Sequence, residues 1–200
     1  LPKQFVPLLQ GKSLLRLTLE RAALLSPRQL IVAAEDHRFL VQECALAAGV
    51  QSTILLEPVA RNTAAAMAAA ALNARPDALL LFLPADHHIP DAQAFADTIR
   101  AGCAAARAGS IVTFGVHPAF PSTAYGYIQQ GALLAGQGAA HAVQRFIEKP
   151  NAVRAQELLL AGGHFWNAGI FLIQASTLLA ALQTSAPDIL AACQQAVAEQ

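Results

Sequence analysis

The sequence predicts an α/β fold, a mostly parallel sheet flanked by helices with a small additional β-sheet region. Three observations carry that expectation. Short apolar runs alternate with stretches of helical spacing along the first 116 residues or so. The runs are apolar throughout instead of alternating with polar residues, so both of their faces must be covered, as in a sheet wrapped by helices. The composition, 55% hydrophobic and 13% charged over 200 residues, supports one well-buried domain and argues against disorder.

The elements follow in order. Leu14 to Leu25 has apolar residues at helical spacing and is ended by Ser26-Pro27. Leu30 to Ala34 reads as a buried strand. Asp36 is placed to cap the next helix and Gly49 to end it. Thr53 to Leu56 is a second strand, stopped by Glu57-Pro58, and Asn62 stands as N-cap of an alanine-rich helix reaching about Ala74. Ala78 to Leu83 gives a third strand stopped by Pro84. A helix from Ala92 to Ala108 and a fourth strand, Ser110 to Val116, complete this half.

Beyond Val116 the rhythm changes. Tyr125 to Gln129 and Ala142 to Ile147 are more polar and suit edge strands or a small added sheet, with a loose loop from Gly131 to Ala140. A helix over Ala152–Ala161, a strand over Ile170–Ile173 and two helices split by Pro187 close the chain.

Charge and cysteine content exclude several functions. Thirteen basic and thirteen acidic residues give zero net charge, without the basic patch that nucleic acid or an anionic membrane requires. No apolar stretch approaches the roughly 18 residues of a membrane span. The three cysteines, Cys44, Cys103 and Cys193, are too scattered for a disulfide or zinc framework, and they read as thiols of a reducing compartment, so a cytoplasmic location is expected. The low charge also implies apolar surface covered by another domain or a second subunit, so a homo-oligomer is expected.

In an open parallel sheet, ligands bind beyond the carboxyl ends of the strands. Asp86, in Ala85-Asp86-His87-His88, stands at such a rim. It is suited to one coordination position on a hard cation such as Mg²⁺, although spacing alone favours a turn or N-cap aspartate. His87 and His88 lack a third ligand at metal spacing and read as solvated or substrate-lining imidazoles. Lys3 is placed either to neutralise a phosphate or as a surface lysine. Glu57 to Thr63 ends a strand and opens a helix, whose free N–H groups suit an anion or a polar ring edge as well as an ordinary cap. Glu148-Lys149-Pro150 and Trp166-Asn167-Ala168-Gly169 flank strands and suit sugar hydroxyls and phosphate. No complete glycine-rich phosphate loop and no Ser/His/Asp or Cys/His signature is present.

Taken together, Pro2-Lys3-Gln4-Phe5, Glu57 to Ala64, Leu83-Pro84-Ala85-Asp86-His87, Thr113 to Val116, Tyr125-Gly126-Tyr127-Ile128, Phe146 to Pro150 and Trp166 to Phe171 resemble one family. It is the nucleotidyltransferase domain of mannose-1-phosphate guanylyltransferases, of the bacterial long type that often carries a phosphomannose isomerase domain. The resemblance spans nearly the whole chain. It implies a Rossmann-like fold of the nucleotide-diphospho-sugar transferase type, with a nucleotide side over about 1–116 and a sugar side over about 117–200.

The resemblance also implies roles. Lys3 would contact phosphate and Asp86 would bind Mg²⁺. Pro58, Arg61, Asn62, Thr63 and Ala85 would lie on the nucleotide with Asp86. Tyr125, Gly126, Glu148, Lys149, Asn167 and Gly169 would surround mannose 1-phosphate, and the reaction with GTP would give GDP-mannose and pyrophosphate. The family's glycine-rich loop belongs before Leu1 and its second metal-binding aspartate beyond Gln200, so these 200 residues alone are expected to be inactive or nearly so. Ala124 stands where the family has glycine. A nucleotidyltransferase for UTP or dTTP with glucose 1-phosphate and a non-catalytic binding relative are the alternatives. A glycosyltransferase with an Asp-x-Asp motif is disfavoured by His88.

Overall fold

A computed structural model describes residues 1–59 and 63–199. Lys3–Phe5 forms a single 3-10 turn, and β1 (Pro7–Leu9) and β2 (Lys12–Ser13) make a short antiparallel hairpin. The sequence reading passed over that hairpin. Ser13 then caps α1 (Leu14–Ala22), its hydroxyl accepting the Arg16 N–H at 3.2 Å.

β3 (Arg28–Ala34), α2 (Arg38–Ala48) and β4 (Gln51–Glu57) form a strand-helix-strand crossover. Its two strands pair in parallel from Arg28 opposite Gln51 to Ala34 opposite Glu57. Gly49 ends α2 as expected. Asp36 does not cap it: Glu35–His37 form their own 3-10 turn and His37 takes the cap position. One acidic residue before an apolar run does not reveal an extra turn. Phe5, Leu15, Leu19, Ile31, Val41 and Ala45 bury together as the core of this half.

The alanine-rich α3 (Thr63–Leu72) packs against the last two helices, α6 (Ala175–Ser185) and α7 (Pro187–Ala198). Ala68 and Ala71 bury against Leu178, Leu182 and Leu190, where a larger residue would hold the helices apart. The expected cap at Asn62 lies outside the described residues.

β5 (Leu79–Phe82), α4 (Ala92–Arg107) and β6 (Val112–Val116) form a second crossover. Asp91, which the sequence reading did not single out, caps α4 by accepting the Ala94 N–H at 2.8 Å. β7 (Tyr127–Leu133), β8 (His141–Ile147), α5 (Ala152–Ala161) and β9 (His164–Gln174) follow.

The helix-flanked α/β class holds, but the direction of pairing differs from expectation. β9 runs antiparallel between β5 and β6: Phe171 pairs with both Phe82 and Thr113, and Leu172 with both Leu81 and Val112. β5 and β6 therefore point the same way, as a crossover requires, yet they are not neighbours. Among the described residues β3–β4 is the parallel ladder, and the other ladders are antiparallel. Apolar periodicity reports that both faces are covered and says nothing about which strand lies alongside. Nor do β7 and β8 form a separate sheet: β7 pairs with the start of β9, Tyr127 opposite Trp166, and extends the main sheet to β8 at its edge.

Candidate active site

The site begins with a strand that is longer than its apolar run. β9 covers eleven residues, and its register against β6 breaks between the Thr113–Phe171 and Gly115–Asn167 pairs. Gly169 sits in that irregularity at φ +64°, where a side chain would be strained. Its N–H donates to Asn167 Oδ1 at 3.0 Å, and the Thr113 hydroxyl donates to the same oxygen at 3.4 Å. Asn167 is thereby fixed through its carbonyl oxygen, which leaves its amide N–H groups free to donate elsewhere.

Asn167 lines a cleft of about 550 Å³ with Asp86, His87, His88, Tyr125 and Trp166. Phe95 on α4 and Phe114 on β6 form its apolar wall. Behind Phe95, the Arg21 guanidinium lies 5.1 Å from the ring centre and donates to the Thr18 hydroxyl. Burial pushes its pKa down.

At one end of the cleft, Lys3 and Asp86 meet. The Lys3 ammonium lies 2.7 Å from Asp86 Oδ2. Packing brings these distant positions together, because Phe5, two residues after Lys3, is buried in the same cluster that Ala85 packs against. The hydrogen bond from Lys3, opposed by partial burial and helped by the charges of Lys3 and His87, holds the Asp86 carboxyl below the usual carboxylate range. Lys3 is raised by the same bond.

At the other end lie the residues expected around a sugar phosphate. The Asn167 N–H donates to the Gly126 carbonyl at 2.8 Å. A Cβ on Gly126 would stand 2.9 Å from Glu148 Oε2, so only glycine admits that carboxylate without displacing it. Lys149, at φ +36°, lies 3.6 Å from Glu148 Oε1. Gly169 closes the set, with Pro84 just beyond it: a Cβ there would be 3.7 Å from Pro84 Cγ.

The structure thus brings Lys3 to Asp86 and sets Gly126, Glu148, Lys149, Asn167 and Gly169 near one another; of the expected site residues, Asp86, Tyr125 and Asn167 line the cleft. Lys3, Ala85, Gly126, Glu148, Lys149 and Gly169 are not among the residues lining it, and neither are the exposed Pro58 and Thr63. Arg61 and Asn62 lie outside the described residues. Sequence reasoning placed Trp166 in a candidate segment without a role of its own and did not single out Phe120, although the two rings meet at 4.8 Å. Trp166 could have been found from its place beside Asn167, whereas nothing in the local pattern marks Phe120.

The family profile described as nucleotidyl transferase matches residues 1–200. The chain belongs to the nucleotidyl transferase family. A xanthan biosynthesis protein, XanB, of Xanthomonas campestris pv. campestris (strain B100) is 47% identical over 200 residues, covering 98% of this chain and 42% of the relative. A mannose-1-phosphate guanylyltransferase of Sinorhizobium fredii is 45% identical over 202 residues, covering 98% and 39%. The chain thus spans about two fifths of the length of the curated relatives it matches. Among solved structures, a mannose-6-phosphate isomerase from Helicobacter pylori superposes with a TM-score of 0.86 at 39% identity, covering 96% of this chain and 73% of that one. Among the described residues no helix is long and apolar enough to cross a membrane, and no three or more His, Cys, Asp or Glu side chains group to hold a metal.

Proposed function

We propose that this chain is the nucleotidyl-transferring part of an enzyme that joins GTP and mannose 1-phosphate, giving GDP-mannose and pyrophosphate. The observation that carries this reading is the cleft lined by Asp86, which pairs with Lys3, and by Tyr125, Trp166 and Asn167. The relatives' names support the choice of sugar: the Sinorhizobium protein is named for mannose 1-phosphate, and the Helicobacter structure for mannose 6-phosphate. A phosphorylated mannose is common to both.

In this reading residues 1–116 form the nucleotide side and 117–200 the sugar side. Pro58, Arg61, Asn62, Thr63 and Ala85 belong to the nucleotide. Tyr125, Gly126, Glu148, Lys149, Asn167 and Gly169 hold mannose 1-phosphate, with Glu148 and Asn167 on its hydroxyls and Lys149 on its phosphate. A phosphate oxygen of the sugar attacks the α-phosphorus in line and pyrophosphate leaves. The protein's work is to position two polyanions and offset their repulsion, and Lys3 supplies one positive charge for it.

Asp86 offers one carboxylate, with Oδ2 already bonded to Lys3. That donor set fits a Mg²⁺ ion held by one protein carboxylate and substrate phosphates, not an all-protein cage. The ion would supply neutralisation of phosphate charge. The same reading places the protein in the cytoplasm as a homo-oligomer, away from membranes and nucleic acid, with a phosphomannose isomerase domain in the same protein.

Pyrophosphate release by the intact protein, measured with each pairing of GTP, UTP or dTTP with mannose 1-phosphate or glucose 1-phosphate, tests the proposal. GTP with mannose 1-phosphate is expected to give the highest kcat/KM. A preference for UTP or dTTP with glucose 1-phosphate would move the assignment to that substrate class, and nucleotide binding without pyrophosphate release in any pairing would make the protein a non-catalytic relative.

A further inference from the structure

Three aromatic rings stand together at the sugar end of the cleft. Trp166 is met edge-on by Phe120, with centroids 4.8 Å apart and planes at 65°, and by Tyr125 at 5.0 Å and 62°. Edge-to-face contacts of this kind add to what burial alone provides. Phe120 is still 52% exposed and Tyr125 46% exposed, so both keep much of their ring surface open.

The loop that carries them is held in place independently of that contact. At its start, the His117 ring packs edge-on against Phe165 at 4.8 Å. In its middle, Ser122 is buried, its carbonyl accepting the hydroxyl of the fully buried Tyr127 at 3.0 Å and its Oγ accepting the Ala124 N–H at 3.2 Å. At its end, the Gly126 carbonyl takes the Asn167 N–H. A loop pinned at three points presents a ready-made wall, so a ligand that uses it need not meet the entropy of ordering it.

The chemistry of the wall narrows what it receives. The three rings carry no positive charge to neutralise a phosphate, and only the Tyr125 hydroxyl and the Trp166 indole N–H could donate to one. They suit the C–H face of a sugar ring, or the flat face of a base. Their neighbours in the chain favour the sugar, because Tyr125 adjoins Gly126 and Trp166 adjoins Asn167, the groups that meet Glu148 and present hydroxyl-binding amides.

We infer that Phe120 and Trp166 are positioning residues that hold the Tyr125 ring against the apolar face of the hexose, so that this aromatic wall sets affinity for the sugar phosphate and not for the nucleotide. The inference rests on the sugar-nucleotide-forming reading above and adds to it two residues that act through Tyr125.

The test is steady-state kinetics of the intact protein and of Phe120→Ala, Phe120→Tyr and Trp166→Phe variants, varying mannose 1-phosphate and GTP separately. Phe120→Ala is expected to raise KM for the sugar phosphate about 3- to 10-fold while KM for GTP holds. Phe120→Tyr restores the ring and should return the wild-type value, and Trp166→Phe should fall between. Ultraviolet difference fluorescence between wild type and Trp166→Phe isolates the emission of Trp166, which should change on adding mannose 1-phosphate. An unchanged KM for the sugar phosphate in Phe120→Ala, or a rise confined to GTP, overturns the inference; the second outcome would give the wall to the base. If the wild-type protein turns over no sugar phosphate, it is the functional reading that fails, which the wild-type measurement alone reveals.

Discussion

The two ends of the cleft are built by opposite means. At the Lys3–Asp86 end a carboxylate and an ammonium meet in an ion pair whose lysine is 72% exposed, brought together as Phe5 buries in the cluster against which Ala85 packs. At the Asn167 end the backbone sets the key group: Asn167 is bonded at both its N–H and its Oδ1 and Tyr127 is wholly buried beneath, although the Glu148–Lys149 pair at its edge is as exposed as Lys3. The charged end therefore depends on what binds to it, since a surface ion pair is screened and contributes little by itself. The packed end is formed before any ligand arrives. On the proposed function, charge is left adjustable where the phosphates would meet, and geometry is fixed where the sugar would sit.

The sharpest way to break this contrast is to remove the carboxylate. Asp86→Ala in the intact protein should lower kcat/KM about 10²- to 10³-fold, the scale of one lost transition-state contact, with thermal stability close to wild type. A near-normal rate would remove Asp86 from the chemistry. The reverse pattern is expected at the sugar end, where disturbing the packing should cost stability. A Cβ on Gly115 would stand 2.6 Å from Phe165 Cβ, which cannot swing away as a side-chain tip could. Gly115→Ala should destabilise by about 1–3 kcal/mol, read from the shift in denaturant midpoint; an unshifted midpoint would mean this end is looser than the contact implies. Tyr127→Phe deletes only the hydroxyl that holds Ser122, and should cost about 0.5–1.5 kcal/mol, with the sugar-phosphate KM rising as the loop loosens.

The smallest effect is on titration. Lys3 holds Asp86 below its ordinary value of 3.8, so the pair's contribution is complete above that pH and is lost as pH falls through the lower folded-state value. Carboxyl NMR shifts should place Asp86 below 3.8 in the wild type and move it upward in Lys3→Met. An unmoved titration would show that the pair does not persist in solution.

What the sequence disclosed and what it withheld divide along the same line. Local order was legible. The helix over Ala152–Ala161 has the limits read from spacing, and Gly49 ends α2. Of the candidates, Lys3 meets Asp86, Gly126 lies against Glu148, Lys149 meets Glu148, and Asp86 and Asn167 line one cleft. Relations between distant segments were not legible. The Lys3–Asp86 pair joins positions 83 residues apart (86 minus 3), with no periodicity to announce it. β9 was read only as Ile170–Ile173, because Gly169 interrupts an apolar run without ending the strand. Phe120 sits in a proline-containing loop whose sequence says turn, and only the folded chain shows its ring against Trp166.

The place of β9 between β5 and β6 has a consequence for the order in which the molecule can assemble. During synthesis β5 and β6 emerge with their crossover helix long before residues 164–174. Until then both strands, with their Leu79-Leu80-Leu81-Phe82 and Val112-Thr113-Phe114 segments, lack the neighbour that completes their ladders. Two like-directed apolar strands waiting for a third is a high-contact-order arrangement, slow to close and open to the wrong partner in the interval. Trp166 and Asn167, which line the cleft, arrive on that same late strand. The chain thus completes its sheet and its binding cleft in one step, and a nascent chain stalled before β9 would have neither.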